Sequence, residues 1–310
     1  MNNSSVIKVN PSIPSAEVCC LSLYHGSAIM VVNTLIALLG TFGNFLVCIA
    51  VLTKPRLRRC SNIPLLSLAI ADLIITVICE PLVVAMVGKI TFLHECAPSL
   101  ELGYSLLANL CCSSSLMHLV AISMDRFLAV TFPLRHGRIM KNYGLKIMLA
   151  TVWAVAFAFA IVRQLFPKKT YYLAAVMFAV GYFLMFVCNL LILLTLVRGR
   201  KRKGRLGAQS SIDVNLKVER RVALTLAIVI ILFSVTWFPL IAVFFITGKS
   251  LVEKYGPAYM WIRSLALSNS AMNFVVYSAR VRDFRDAYIS ISRKMFGCLV
   301  ENANTGSIVW

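Results

Sequence analysis

The sequence predicts an all-α membrane protein, a seven-transmembrane helix bundle followed by a short amphipathic eighth helix. Its 310 residues are 59% hydrophobic and only 14% charged, whereas soluble domains are roughly 45–50% apolar. Three stretches, 26–53, 170–197 and 222–248, contain no Lys, Arg, Asp or Glu, and each exceeds the roughly 20 residues that cross a bilayer. The composition therefore indicates a membrane bundle rather than a soluble domain.

The remaining spans are long apolar stretches with occasional charges (the second and third) or with shorter charge-free cores (the fourth and seventh). The predicted helices are about 26–53, 61–88, 97–130, 142–164, 170–198, 217–247 and 256–279. Together they form one bundle, 26–279, without internal repeats or a soluble domain. Residues 1–25 are too polar for a signal peptide, so the first helix is expected to act as the insertion signal.

The segment 280–310 is predicted to hold an amphipathic helix and a tail. Apolar residues recur there at helical spacing, at Phe284, Tyr288, Ile291 and Met295, and basic residues lie between them. Such a pattern is typical of a helix that lies on a membrane surface. Cys298, just beyond this pattern, is a candidate for palmitoylation; the alternative is an unmodified thiol.

The distribution of Lys and Arg predicts the orientation. The loops 54–59, 135–146, 198–221 and 280–294, with Arg126, hold 23 of these residues, and the opposite side holds 8. By the positive-inside rule, the amino terminus is extracellular in the plasma membrane, and Asn2 and Asn3 are candidate glycosylation sites. The net charge of +19 is interpreted as an inner surface that faces anionic lipid and an acidic partner, and nucleic acid is not expected.

The ten cysteines do not predict a metal site, because the adjacent pairs lack the spacing of metal ligands. Only Cys19, Cys20 and Cys96 are predicted to be extracellular. A disulfide from Cys96 to Cys19 or to Cys20 is therefore the predicted pairing.

An adjacent acid and base, Asp125 and Arg126, lie near the inner end of the third predicted helix. Charges at membrane depth are costly, so this pair predicts a functional site. Glu219 lies where the sixth helix begins, and its carboxylate is placed to hold Arg126 from across the bundle. The three residues predict an ionic latch; the alternative is a surface ion pair worth about 0–1 kcal/mol.

Further motifs occur in almost every predicted helix. They are Gly43-Asn44, Leu68-Ala69-Ile70-Ala71-Asp72, Asp125-Arg126-Phe127, Trp153, Phe233 with Thr236-Trp237-Phe238-Pro239, and Asn269 to Tyr277 followed by Arg282-Asp283-Phe284-Arg285. In this order they resemble the rhodopsin-like (class A) G-protein-coupled receptors over nearly the whole chain. The last two helices look most like the branch that contains adenosine, melanocortin, cannabinoid and lysophospholipid receptors.

The resemblance implies a switch that recruits a heterotrimeric G protein, and arrestin as a further partner. In that family, release of the arginine matched by Arg126 lets the sixth helix swing outward while the tyrosine matched by Tyr277 moves in to support it. Trp237 before the kinking Pro239 is expected to pass ligand pressure to Phe233 and then to Leu116; the alternative for the aromatic residues is packing alone. The resemblance also implies that Pro133 and Leu134 contact the G protein.

A polar cluster in mid-membrane resembles the sodium and water pocket of the same family. Its members are Asp72, Asn44, Ser115, Asn269, Ser270 and Asn273. These side chains supply the oxygen ligands that a hard cation prefers, so a structural sodium ion is the one cofactor candidate. The alternatives are an inert polar cluster and a protonated Asp72 that bonds to Asn44.

Three features depart from the family pattern. Phe274 replaces a proline, and the fifth span contains no proline, so two helix distortions that rely on a missing N–H are expected to be weaker. The usual cysteine at the outer end of the third helix falls on Glu101, and the following outer loop, 163–170, has no cysteine. The common outer disulfide is absent, as it also is in melanocortin receptors.

Charged residues near the outer ends of three helices predict the ligand cavity. Glu80, Glu101 and Tyr104 come from the second and third helices, and Arg263 from the seventh. Charges at this depth require mutual pairing or a ligand of complementary charge. The alternative is that both acids face the outer water.

Four further positions of this predicted ligand cavity bear on the class of ligand. Ala108 stands where aminergic receptors carry an Asp, which disfavours a monoamine. Phe244, Ala266 and Leu267 stand where adenosine receptors carry polar contacts, which disfavours adenosine. A peptide or a charged-headed lipid is therefore the predicted ligand, and an adenosine-like or other small-molecule receptor is the alternative.

Functions of other classes are less compatible with the sequence. The seventh predicted helix contains no lysine for a retinal Schiff base, and no half-repeats or serial buried charges of a channel or transporter are visible. No nucleophile and base occur at a catalytic spacing, so the chain is not expected to be an enzyme.

Overall fold

The computed structural model describes residues 21–166, 170–204, 211–247 and 256–305. These residues form helices and connecting turns and contain no strand, which confirms the predicted all-α fold class. Seven long helices form the bundle: Leu23–Thr53, Cys60–Leu93, Pro98–Thr131, Leu145–Leu165, Thr170–Gly204, Ser211–Thr247 and Pro257–Arg280. They are called the first to seventh helices below.

Six of these helices are long and apolar enough to cross a membrane, within the part of the chain that is described. The seventh is more polar because it carries Arg263, Asn269 and Asn273, and all three side chains are buried in the bundle. In contrast, large apolar side chains such as Leu38, Phe183 and Phe238 are exposed on the outside. This inverted distribution suits a bundle whose surroundings are lipid.

The two ends of the bundle are named by residues of the third helix. Pro98–Thr131 has a length of about 50 Å at 1.5 Å per residue. Glu101 lies in its first turn and Arg126 in its last turns. The terms Glu101 end and Arg126 end are used in this sense.

The second helix is irregular at the level of Glu80. An α-helical segment ends at Ile74, a π-helical turn covers Ile75–Cys79, and a new segment begins at Glu80 with Pro81 in its first turn. Pro81 lacks an N–H and so suits the first turn of a segment. The extra residue of a π turn rotates all later side chains about the helix axis, and it is here followed by a Glu80 side chain that is buried inside the bundle.

The fifth and seventh helices run without interruption through the positions where the sequence lacks the family's prolines. Phe274 has a backbone N–H and lies inside Pro257–Arg280. Its ring occupies the space that a side chain at Gly43 would need, so a Cβ there would overlap the ring. The first and seventh helices therefore approach closely at Gly43, where a glycine is required.

Two further helices lie at the Arg126 end. The loop helix Pro133–Ile139 follows the third helix, and the eighth helix Arg282–Thr305 follows the seventh. The eighth helix has 24 residues and is not short as predicted, because no proline interrupts it. Its apolar face, Phe284, Ala287, Tyr288 and Ile291, is buried against the bundle, and Lys54 of the first helix donates to the Ser290 Oγ at 3.0 Å.

Candidate functional site

The Glu101 end contains a buried ion pair between the third and seventh helices. The Arg263 Nη1 lies 3.1 Å from the Glu101 Oε2, and the Arg263 side chain is only 2% exposed. The guanidinium carbon lies 3.6 Å from the centre of the Tyr104 ring, a cation–π arrangement. Glu101 and Tyr104 share one face of the third helix because they are three residues apart.

Glu80 completes this group, which we call the Glu80 cluster: Glu80, Glu101, Tyr104 and Arg263. Glu80 is 0% exposed and lies close enough to interact electrostatically with Arg263. Neither of its carboxylate oxygens has a hydrogen-bond partner, and the Arg263 Nε is also without one. When all three ionisable groups are charged, two carboxylates face one guanidinium and the cluster carries one negative charge.

The structure describes the side chains of two of the three other predicted ligand contacts. Ala108, one turn beyond Tyr104 on the third helix, and Leu267, one turn beyond Arg263 on the seventh, are both buried in the apolar core. The side chain of Phe244 lies outside the described residues. The cluster is thus bordered by apolar surface on the side that leads into the bundle.

Deeper in the bundle, Asp72 forms the centre of a polar group. The Asn273 Nδ2 donates to the Asp72 Oδ2 at 2.8 Å, and the Ser115 Oγ to the Oδ1 at 3.5 Å, while Ser270 also bonds to Asp72. Asn44 is joined indirectly, since its Nδ2 donates to the Ser270 carbonyl at 2.8 Å. Asn269 is buried, and no contact between it and Asp72 is observed.

The polar group suits a monovalent cation. It offers a buried carboxylate and two hydroxyls, and the Asn44 Oδ1 is buried without a hydrogen-bond partner. Oxygen donors of this kind are the ligands of hard cations. No group of three or more His, Cys, Asp or Glu side chains that would hold a transition metal occurs among the described residues.

Aromatic side chains connect the fifth and sixth helices between the two ends. Trp237 and Phe233 stack at 5.8 Å between ring centres, and Phe178 lies 5.2 Å from Trp237. The Tyr182 hydroxyl donates to the Phe233 carbonyl at 3.4 Å. Pro239 lies inside the sixth helix, where its missing N–H weakens the helix just beyond Trp237.

At the Arg126 end, Asp125 is held by two partners. The Arg126 guanidinium pairs with the Asp125 Oδ2, and the His136 Nε2 lies 2.6 Å from the Oδ1. His136 belongs to the loop helix, so this contact ties the loop helix to the third helix. The side chain of Glu219, the predicted second partner of Arg126, lies outside the described residues although its backbone is helical.

Other predicted residues at this end lie near the pair or on the surface. Tyr277 is buried and its ring packs 5.8 Å from Phe284 at the start of the eighth helix. Leu134 is 92% exposed on the loop helix, while the side chain of Pro133 is not described. Leu134 is therefore accessible at the Arg126 end.

Several predicted modification sites lie outside the described part of the chain. They are Asn2, Asn3, Cys19 and Cys20, together with the side chain of Cys298. Cys96 is disulfide-bonded, and its partner is not among the described residues. The pairing with Cys19 or Cys20 therefore stays a prediction.

The structure also reveals contacts that sequence reasoning missed. His136 and Tyr182 were not singled out, and neither was His118, whose Nε2 lies 2.8 Å from the Ser67 Oγ that also accepts from the Trp153 Nε1 at 3.0 Å. A histidine in a predicted span was a usable signal, because a polar ring at that depth needs a partner. His136 and Tyr182 carried no signal of this kind.

Comparison with known proteins agrees with this architecture. The family model described as 7 transmembrane receptor (rhodopsin family) matches residues 43–172 and 167–277. The histamine H2 receptor of Rattus norvegicus is 27% identical, over 93% of this chain and 84% of that protein. The adenosine receptor A2b of Gallus gallus is 26% identical, over 86% of this chain and 88% of that protein. The adenosine receptor A2a of Homo sapiens is 26% identical, over 88% of this chain and 74% of that protein.

Proposed function

The chain belongs to the rhodopsin family of seven-transmembrane receptors, and we propose that it is a ligand-gated switch that activates a heterotrimeric G protein. It is a multi-pass membrane receptor and not an enzyme. The observation that carries the proposal lies on the third helix: the Glu80 cluster contacts its Glu101 end, and the Asp125–Arg126 pair lies at its other end. A change in the packing of this helix affects both.

The Glu101 end faces the extracellular side of the plasma membrane in this proposal. The excess of basic residues at the Arg126 end supports this orientation. An extracellular ligand then reaches the Glu80 cluster, and the cytosolic G protein reaches Arg126 and the exposed Leu134. Arrestin is expected to use the same end.

The ligand is proposed to carry a cationic group that binds Glu80. A buried carboxylate without hydrogen-bond partners is costly, and a ligand cation would provide Glu80 with a partner. A peptide with a terminal amine or a basic side chain provides this group. A charged-headed lipid with a cationic head is compatible with the same site.

A small amine is the second candidate. It is favoured by the similarity to histamine H2 receptors, which are named for a small amine. Ala108 provides no acid for an amine, so the cation would bind Glu80 on the second helix instead. The adenosine receptors among the relatives make a nucleoside the remaining alternative, for which the cluster offers no complementary charge.

Coupling to the Arg126 end is proposed to run through the aromatic residues. Ligand contact with Trp237 would move the sixth helix at Pro239, and the Phe233 ring would transmit the shift toward Leu116 of the third helix. A ligand that binds one bundle conformation more tightly shifts the population toward it. Asp72, Ser115 and Ser270 are proposed to hold a sodium ion that stabilises the other conformation.

The proposal can be tested in transfected cells by screening cationic peptides, amines, nucleosides and charged-headed lipids for G-protein activation. For an active compound, Arg126→Leu should abolish the response while surface expression is retained. Arg59→Leu, which removes an exposed arginine from the loop after the first helix, is the matched control. Glu219→Ala should raise basal activity, and unchanged signalling in both the Arg126 and Glu219 variants would overturn the proposed switch.

A further inference from the structure

One serine of this chain follows two adjacent arginines. The segment reads Arg58-Arg59-Cys60-Ser61, and no other serine or threonine in the 310 residues has arginines both two and three positions before it. Protein kinases select their substrates by patterns of charge, and arginine-directed kinases use acidic side chains to bind two guanidinium groups at this spacing from the accepting hydroxyl. The sequence therefore indicates that Ser61 is a substrate for such a kinase.

Ser61 lies in the connection between the first and second helices, at the Arg126 end. The first helix ends at Thr53, and the second begins with the 3₁₀ turn Cys60–Asn62. Lys54 in the same connection contacts the eighth helix. In the orientation proposed above, this connection faces the cytosol, where kinases and ATP are present, and the inference rests on that orientation.

The segment around Ser61 needs only a small opening to reach a kinase. The three residues before Ser61 are exposed, and Ser61 is half-buried. Its hydroxyl forms no hydrogen bond with the described residues, whereas the Asn62 N–H donates to the Arg59 carbonyl at 2.9 Å and the Asn62 Nδ2 to the Leu57 carbonyl at 3.0 Å. A kinase binds its substrate in an extended conformation, so these two bonds have to open. A single turn at the end of a helix opens far more readily than a helix interior.

The start of the second helix also suits a phosphate on Ser61. The two residues that precede its helical segments, Arg59 and Asn62, form no side-chain cap, and the first turn contains no acid. Negative charge in the first turn of a helix is favoured by the helix dipole, and a phosphate supplies it. Arg58 donates to the Leu52 carbonyl, and Arg59 forms no ion pair among the described residues. A phosphate on Ser61 offers both guanidinium groups a charged partner.

We propose that Ser61 is phosphorylated by an arginine-directed serine/threonine kinase, and that Arg58 and Arg59 hold the phosphate at the start of the second helix. In the reaction, the Ser61 Oγ forms a bond to the terminal phosphorus of ATP, while the bond from that phosphorus to its bridging oxygen breaks and ADP leaves. The proton of the hydroxyl passes to a carboxylate of the kinase. The phosphate carries a charge of about −1.5 to −2 at pH 7 and so reduces the positive charge of the inner surface.

The modification is tested on the full chain purified into phosphatidylcholine nanodiscs, with ATP and the catalytic subunit of the cyclic-AMP-dependent kinase, which is arginine-directed. Mass spectrometry should locate phosphate on Ser61, and Ser61→Ala should remove it. Arg58→Gln combined with Arg59→Gln should slow the labelling of Ser61 at least roughly tenfold. The matched control combines Arg138→Gln with Arg282→Gln, which removes the same charge from exposed sites at the same end, and should change the rate by less than about twofold.

Hydrogen exchange tests whether the phosphate is held at the helix. The amides of residues 60–63 should exchange more slowly by roughly threefold or more after phosphorylation, because the phosphate accepts from the first N–H groups and orders the turn. Ser61→Ala treated with the same kinase and ATP should show no change. Thermal unfolding checks that each variant is folded before the kinase is added.

Three results with the purified chain would overturn the proposal. Absence of phosphate on Ser61, or labelling only after thermal unfolding, would exclude it as a kinase substrate. Equal slowing in the two arginine pairs would mean that the kinase responds only to total charge. Unchanged or faster amide exchange after phosphorylation would show that the phosphate projects into solvent and is not held by the two arginines.

Measurements in transfected cells separate failure of this site from failure of the proposed function. Phosphate on Ser61 should appear when the kinase is activated, and its absence there would exclude the site in the cell. An epitope tag at the carboxyl terminus, detected in permeabilised but not in intact cells, tests the orientation independently. None of these assays uses a ligand or a G protein, so their outcome does not depend on whether the chain signals.

Discussion

The two ends of the bundle each contain an arginine–carboxylate pair, but the acids at the two ends differ in how fully they are partnered. At the Glu101 end, one guanidinium, Arg263, faces two acids, and both oxygens of Glu80 lack partners. At the Arg126 end, one acid, Asp125, is held by both Arg126 and His136. Within the described residues, the Glu80 carboxylate thus has no hydrogen-bond partner, whereas both oxygens of Asp125 have one.

This difference fits the two roles that we propose. A buried carboxylate without hydrogen-bond partners gains most from a ligand that brings a cation, whereas a carboxylate with both oxygens bonded has to lose a partner before it can bind anything else. Glu80 is therefore proposed to receive its partner from outside, whereas Asp125 at the G-protein end is already held by contacts of the chain itself. Variants that remove single partners test this contrast.

The largest effect is expected from Arg263→Met. The substitution leaves the buried Glu80 carboxylate without the neighbouring Arg263 charge and removes the Arg263–Glu101 pair, and breaking a buried pair in this way costs about 3–5 kcal/mol. Thermal unfolding of the purified receptor measures the loss. A triple variant that also carries Glu80→Gln and Glu101→Gln removes all the charges and should recover most of the stability; an Arg263→Met receptor as stable as the wild type would show that the cluster is not charged.

Tyr104→Leu should have the next largest effect. The ring face lies against the buried Arg263 guanidinium, and a desolvated cation–π contact contributes about 2 kcal/mol. Tyr104→Phe, which keeps the ring face, is the matched control and should lose less of the thermal stability. If the Phe variant is as unstable as the Leu variant, the hydroxyl rather than the ring face holds Arg263.

The sequence predicted the membership of these groups better than their pairing. Helical spacing and the family resemblance were enough to bring Glu80, Glu101, Tyr104 and Arg263 to one end. The choice of the acid that pairs with Arg263 depends on the π turn Ile75–Cys79, because this turn changes the direction of the Glu80 side chain. The hydrophobic pattern of the sequence does not predict such a turn. The structure pairs Arg263 with Glu101 and leaves Glu80 without a hydrogen bond.

The contact between His136 and Asp125 could not be predicted for a similar reason. The two residues are 11 apart, and they meet only because the chain turns at Phe132 and continues as the loop helix. The direction of that turn is fixed by packing and not by local sequence. The same holds for Tyr182, whose bond to the Phe233 carbonyl requires the fifth and sixth helices to be in register.

Glu80→Gln tests the ligand end without a large change in shape. If the ligand cation binds the Glu80 carboxylate, the neutral amide should lower the potency of an active cationic compound roughly tenfold, the loss expected for one charge-assisted hydrogen bond. G-protein activation in transfected cells measures the potency. Glu95→Gln, an exposed acid in the loop after the second helix, is the control, and unchanged potency in Glu80→Gln would exclude Glu80 as the cation site.

His136→Phe tests the Arg126 end and should have the smallest effect. The His136 Nε2 bond to Asp125 anchors the loop helix that presents Leu134. Loss of this bond should lower the efficiency of G-protein activation roughly threefold to fivefold, because one hydrogen bond contributes about 1 kcal/mol. His136→Gln offers a donor of similar reach and should restore part of the loss. The measurement is nucleotide exchange on a purified G protein at saturating ligand. If the Gln and Phe variants are equally impaired, the imidazole ring packs the loop helix and its bond to Asp125 contributes nothing. If both variants equal the wild type, Arg126 alone holds Asp125, and the contrast between the two ends is smaller than the geometry indicates.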